Sequence, residues 1–167
     1  MSSIISSCDR IAVSPLLRTL QTISPFLQKN SRVGEVWPEM AEACWHDERE
    51  EPTETWAFRD ARIPESMLPY FNFRNGEARQ PDHPETFGMG LQRVRLVLLR
   101  LEIEEIKKEG KILLVTHGHF IRELLNLMLK PEAFQEYHQE NCAITQLSYV
   151  EGVWELEGVT SQEEAQE

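Results

Sequence analysis

The chain has 167 residues, 41% of them hydrophobic and 27% charged, with a formal net charge of −11. That size and mix suit one domain burying one core, and they exclude a disordered composition. The acidic balance argues against a nucleic-acid surface or a polybasic membrane contact, although a local anion site needs only a few positives within an acidic whole.

Residues 1–9 are Ser-rich and read as a frayed lead-in. RIAV, residues 10–13, predicts a short strand ending at Ser14-Pro15, where Ser suits a helix N-cap and Pro the first helical position. The helix that follows carries Leu16, Leu17, Leu20, Ile23, Phe26 and Leu27, with Pro25 inside it as a source of a kink or an early end. Arg18 falls in its first turn, where a guanidinium offers a planar fork to an oxyanion. Taken singly, it reads equally as a solvated arginine.

Residues 33–40, VGEVWPEM, predict a second strand, weakened by Gly34 and Pro38 and so suited to a sheet edge. An acidic run follows, with Glu39, Glu42, Asp47, Glu48, Glu50 and Glu51. Most of it belongs in solvent, while one carboxyl can turn into a cleft as a proton donor. Residues 53–84 hold Trp56, Phe58, Tyr70, Phe71 and Phe73 among prolines and charges. They read as short helices and loops forming a lid-like insertion, or as aromatics packing that segment onto the core.

Pro84-Glu85-Thr86 opens a long helix with an apolar face of Leu91, Val94, Leu98, Leu101, Ile103 and Ile106, closed by Lys107, Lys108 and Gly110. ILLV, residues 112–115, is an unbroken apolar run and predicts a strand buried on both faces. From Phe120 onward, Ile121, Leu124, Leu125, Met128 and Leu129 recur at helical spacing, so His117-Gly118-His119 occupies a strand-to-helix turn. Such a turn, at the carboxyl end of a strand in an open α/β sheet, favours an anion through unpaired N–H groups and the helix dipole. His117 is thus an anion ligand or simply one polar residue on a tight turn. Two strands at 143–150 and 153–159, joined by Glu151-Gly152, predict a hairpin, and residues 160–167 form a polar tail.

Cys8, Cys44 and Cys142 are odd in number, far apart and in no CxxC pair, which indicates free thiols in a reducing compartment rather than disulfides or a zinc site. No apolar run reaches the length of a membrane span and no charged-then-apolar leader is seen. The expectations are cytoplasmic placement, no metal and no cofactor.

Four segments converge. SPLLRTLQT at 14–22, PEMAE at 38–42, VTHG at 115–118 and Asn141 before a late strand occur in an order and spacing that resemble the histidine phosphatase superfamily, the phosphoglycerate mutase-like proteins. The resemblance runs from Asp9 to Val159. It implies a three-layer α/β/α fold with a mostly parallel sheet. It also implies that Arg18, with Gly118 and Asn141, binds phosphoryl oxygens, that His117 stabilises the transferring group, and that Glu42, more than Glu39, donates the proton to the leaving oxygen. A phosphorylated small molecule or phosphate is the implied partner.

That family opens on a strand ending in Arg-His-Gly, whose histidine is the nucleophile. These 167 residues contain no Arg-His-Gly. His46, His83, His119 and His138 lack the strand-to-turn context. The chain therefore reads as missing the first central strand of the sheet, which would lie between 112–115 and 143–150. Buried backbone groups without partners cost roughly 1–3 kcal/mol each, against a domain stability of about 5–15 kcal/mol. Self-association through unpaired sheet edges is a further expectation. The functional expectation is phosphomonoester hydrolysis or phosphoryl transfer by ancestry with weak or absent turnover. The alternatives are a non-catalytic phosphate-binding or scaffold protein, or a truncated form of an active phosphatase.

Overall fold

Alternating side chains in the first strand face two separate cores, and this sets the layering. The computed structural model describes residues 2–43, 63–73, 85–105 and 110–160. In β1 (Arg10–Val13), Ile11 and Val13 point to one side and Ala12 to the other, as the two-residue period of a strand requires. Ile11 and Val13 join Leu20, Ile23 and Leu27 of α2 (Leu17–Lys29), Val36 of β2 (Gly34–Val36) and Phe71 of β3 (Phe71–Phe73). Ala12 joins Trp37, Met40, Val94 and Val97 of α3 (Phe87–Arg100) and Phe120, Leu124 and Met128 of α4 (Gly118–Leu129). The three-layer α/β/α arrangement follows from these two clusters.

The sheet is parallel throughout, in the order β3-β2-β1-β4, with β4 spanning Ile112–Val115. β2 therefore lies inside the sheet rather than at its edge. It is also shorter than the 33–40 expected, because Pro38 starts a 3₁₀ turn over Pro38–Met40. Residues 65–73, inside the supposed lid, supply a 3₁₀ segment (Glu65–Tyr70) and then β3, a strand not expected there. The rest of that insertion (53–62 and 74–84), with Trp56, Phe58 and His83, lies outside the described residues, as do Cys44, His46, Asp47, Glu48, Glu50, Glu51, Ile106 to Lys108 and the tail beyond residue 160.

The lead-in is helical: α1 spans Ser2–Ser6 and buries Ile5 in the α2-side core. Pro25 does not end α2, which runs on to Lys29. α3 starts at a true cap, the Thr86 hydroxyl accepting from the Met89 N–H at 3.2 Å, and passes into a π-helical turn over Leu101–Glu105. The apolar face expected of this helix holds at Val94 and Leu101, whereas Ile103 is half exposed.

β4 is only partly buried at all four positions, against the expectation of burial on both faces. It is the sheet edge among the described strands. β5 (Ile144–Val150) and β6 (Val153–Thr160) form a separate antiparallel pair, their turn made by Glu151 at φ 51° and Gly152 at φ 89°, the left-handed pair that a two-residue hairpin turn needs. A cleft of about 660 Å3 lies between β4 and β5, lined by Ile112, Leu114, Leu125, Met128, Leu147 and Trp154 among others.

Candidate active site

The sheet brings the carboxyl ends of β1 and β4 side by side, with Val13 paired to Val115. The chain leaving β1 carries Ser14 and Arg18, and the chain leaving β4 carries His117 and Gly118. Two further bonds lock this rim: the Ser14 N–H donates to the Val115 carbonyl and the Trp37 N–H to the Val13 carbonyl, each at 2.9 Å.

Ser14 does not act as the N-cap of α2. That position is Leu16, without a side-chain cap bond, and the helix begins at Leu17. The buried Ser14 hydroxyl is instead 2.7 Å from Nε2 of His117, while also accepting from the Leu16 N–H at 3.3 Å. On the other side of the ring, the Arg18 Nε–H donates to Nδ1 of His117 at 3.1 Å.

These contacts fix the imidazole's protonation. A guanidinium N–H only donates, so Nδ1 is the acceptor; Nε2 then carries the proton and donates to Ser14. Burial disfavours the charged ring, and the nearby positive charges of Arg18 and Arg93 add to that, holding the His117 pKa down to about 3. His117 is a neutral imidazole with both nitrogens engaged.

Glu42 completes the group. Its Oε1 accepts from the N–H of Ala43 and from the N–H of Phe120, both at 3.2 Å, so the carboxylate takes up one of the unpaired donors in the first turn of α4. Its Oε2 lies 3.8 Å from the Arg18 guanidinium and 4.0 Å from Nδ1 of His119. Burial pushes its pKa above the ordinary carboxylate value, outweighing the two N–H donors and the charges of His119 and Arg18, which pull it down. Glu42 is thereby suited to hold a proton for longer than an exposed carboxyl would.

Arg18 is half exposed, its side chain 52% accessible at the rim. Gly118 is exposed at the first position of α4, and a Cβ there would meet nothing within 4 Å. The space above the helix terminus is open to a ligand. Arg18, His117, Glu42 and Gly118 thus meet at one rim, as the sequence suggested. Asn141 sits on an exposed turn before β5, with no hydrogen bond to the other four among the described residues. Glu39, the lesser candidate acid, lies in the 3₁₀ turn with Oε2 buried and without a hydrogen-bond partner among the described residues.

Sequence reasoning missed two participants. Ser14 has the local signature of a helix cap, although its partner lies 103 residues away. Arg93, whose charge is felt at His117, reads as an ordinary helix residue, and no local signal marks it. Among the described residues no cluster of three or more His, Cys, Asp or Glu could hold a metal ion, and no helix is long and apolar enough to cross a membrane.

A model of the histidine phosphatase superfamily (branch 1) matches residues 5–162. No curated protein matches the chain. Among solved structures, the fold is similar to that of a mycobacterial glucosyl-3-phosphoglycerate phosphatase in complex with inorganic phosphate, at 21% identity over 96% of this chain and 81% of that one, with a TM-score of 0.61. The native structure of the mycobacterial enzyme gives 22% identity over 93% and 80%, with a TM-score of 0.60. At such identities the likeness is one of fold.

Proposed function

The chain belongs to the histidine phosphatase superfamily, and from that membership we propose that its rim site binds inorganic phosphate or a small phosphomonoester, with weak or absent turnover. The observation that carries the reading is the meeting of the Arg18 guanidinium and the His117 imidazole beside the open N-terminus of α4. Phosphoryl oxygens need positive donors around them. The half-exposed guanidinium of Arg18 supplies a fork, and the first-turn N–H groups of α4 at Gly118 and His119 supply the helix-terminal donors. Glu42, protonated above the usual carboxyl range, is the acid for a leaving oxygen. That the similar mycobacterial phosphatase was obtained with inorganic phosphate supports the ligand class.

The weak turnover follows from the chemistry of the imidazoles. Covalent phosphoryl transfer through histidine needs a ring nitrogen with a free lone pair. His117 has its Nδ1 lone pair taken by Arg18 and a proton on Nε2, and these 167 residues contain no Arg-His-Gly to supply another histidine.

Two measurements test the reading together. Orthovanadate or phosphate is expected to raise the melting temperature of the wild type but not of Arg18→Ala. Hydrolysis of para-nitrophenyl phosphate is expected to stay at the level of His117→Ala. A response to neither anion favours the scaffold alternative, and turnover well above the His117→Ala control contradicts the weak-enzyme part. The free thiols Cys8 and Cys142 support cytoplasmic placement. The partly buried β4 edge supports self-association, which a concentration series in sedimentation velocity would reveal as a rising sedimentation coefficient.

A further inference from the structure

Arg93 divides its donors between the loop that carries Glu42, which takes three, and the carboxylate of Glu85, which takes two. Its Nε–H and one Nη2–H hold the two oxygens of Glu85, each at 2.6 Å. Nη1 donates to the carbonyls of Glu39 at 2.9 Å and Ala41 at 2.7 Å, and Nη2 also donates to the carbonyl of Glu42 at 2.8 Å. The carbonyl between these, that of Met40, accepts from the Thr116 hydroxyl at 2.8 Å. Four consecutive carbonyls are thus held by side chains, three of them by one guanidinium. Both Arg93 and Glu85 are nearly buried, and a guanidinium taken out of water needs this complete set of acceptors.

We propose that Arg93, braced by Glu85, is the positioning residue for Glu42, an inference that rests on the reading of Glu42 as the acid of the site. With its carbonyl pinned to α3, Glu42 keeps only its side-chain torsions, and its carboxyl is left directed at the Phe120 N–H and the Arg18 guanidinium. Arg93 itself does not touch the open rim. A lysine cannot replace it, because an ammonium offers three donors from one point, where the loop needs a planar fork reaching several acceptors at once.

The test follows the backbone amide signal of Phe120 in the intact, 15N-labelled protein as pH is changed. Since this N–H donates to Glu42 Oε1, it senses that carboxyl's ionisation. The groups facing Glu42 are Arg18 from α2, His119 from α4 and, through the backbone, Arg93 from α3. Glu42→Gln assigns the transition to Glu42 rather than to His119.

In the wild type the Phe120 signal is expected to titrate with a midpoint above that of an ordinary carboxyl. In Arg93→Lys the transition is expected to be lost or to move down to the ordinary range, while the Ala12 and Leu114 amides of the sheet keep their positions. Glu85→Gln, which leaves Arg93 in place with a weaker brace, is expected to shift the midpoint in the same direction by less, and it serves where Arg93→Lys does not fold. An unchanged Phe120 titration in folded Arg93→Lys, or in Glu85→Gln where that variant alone is available, overturns the proposal, as does the absence of any Glu42-dependent titration in the wild type. The readout needs no bound anion, so a failure of phosphate binding is seen separately from a failure of positioning.

Discussion

The Nε–H of Arg18 and Nδ1 of His117, 99 residues apart in the chain, meet at 3.1 Å. The contact joins the two motif segments, and it sets the direction of every proton around the imidazole. Nδ1 accepts, Nε2 donates, and Ser14 receives.

Removing that receiver has a defined cost. In Ser14→Ala the buried Nε2–H of His117 is left without its partner, which is expected to destabilise the protein by about 1–3 kcal/mol. Urea unfolding measures it. A variant as stable as wild type would mean that Nε2 has no need of Ser14.

Acid stability carries the signature of His117. Its folded pKa of about 3 lies below the ordinary imidazole value of 6.5, so between these limits the unfolded chain binds the extra proton. The stabilisation is therefore whole above pH 6.5 and is lost as pH falls through the interval, at a slope approaching 1.4 kcal/mol per pH unit, roughly, for one proton. Glu42, with its pKa raised, has the opposite sign: it favours the folded state least at high pH. His117→Gln is expected to flatten the acid limb of the stability profile, and an unchanged limb would contradict a neutral, buried imidazole.

Anion binding should depend on the charge of Glu42. Sulfate keeps its charge over the range from about pH 5 to 8, so any change in its affinity reports on the protein. Protonated Glu42 places no negative charge beside Arg18. As pH rises through its raised pKa the carboxylate forms and sulfate binding weakens, while Glu42→Gln loses that part of the pH dependence and keeps only what His119 contributes. Fluorescence or calorimetric titration gives the comparison, and equal pH dependence in the two proteins would contradict the placement of the carboxyl at the site.

Away from the site, Gly110 has φ 116° and its backbone packs against the Asp9 carboxyl, which accepts from the Lys111 N–H at 2.7 Å. Gly110→Ala combines a left-handed backbone with a clash and is expected to cost about 1–3 kcal/mol in chemical unfolding. It should leave anion affinity unchanged.

Much of this architecture could be read from local pattern. The helical spacing from Phe120 to Leu129, the ILLV run and the Glu151-Gly152 turn each produced the element expected of them, because each is decided by neighbours within a few residues. The misses share one cause, a partner distant in sequence. Ser14 has the chemistry of a cap, but its hydroxyl is claimed by His117. The Ser-rich start becomes a helix because Ile5 finds the α2-side core. β2 has the composition of an edge strand, yet β3, hidden among aromatics, covers it. At the site, Arg18, His117 and Glu42 were legible as residue types at suggestive turns, whereas Arg93, three residues into an apolar helical repeat from Gly90, shows its role only through the four carbonyls gathered around it and Thr116.

The most direct measurement is a calorimetric titration of inorganic phosphate into three proteins: wild type, Arg18→Ala, and Arg32→Ala, which removes the same charge at an exposed position bonded to the Asp9 carbonyl. One anion is expected to bind per chain in wild type and in Arg32→Ala, with affinity lowered at least about tenfold in Arg18→Ala, the equivalent of roughly 1.4 kcal/mol. Equal binding by Arg18→Ala and Arg32→Ala, or no binding by the wild type, would contradict an anion site at Arg18.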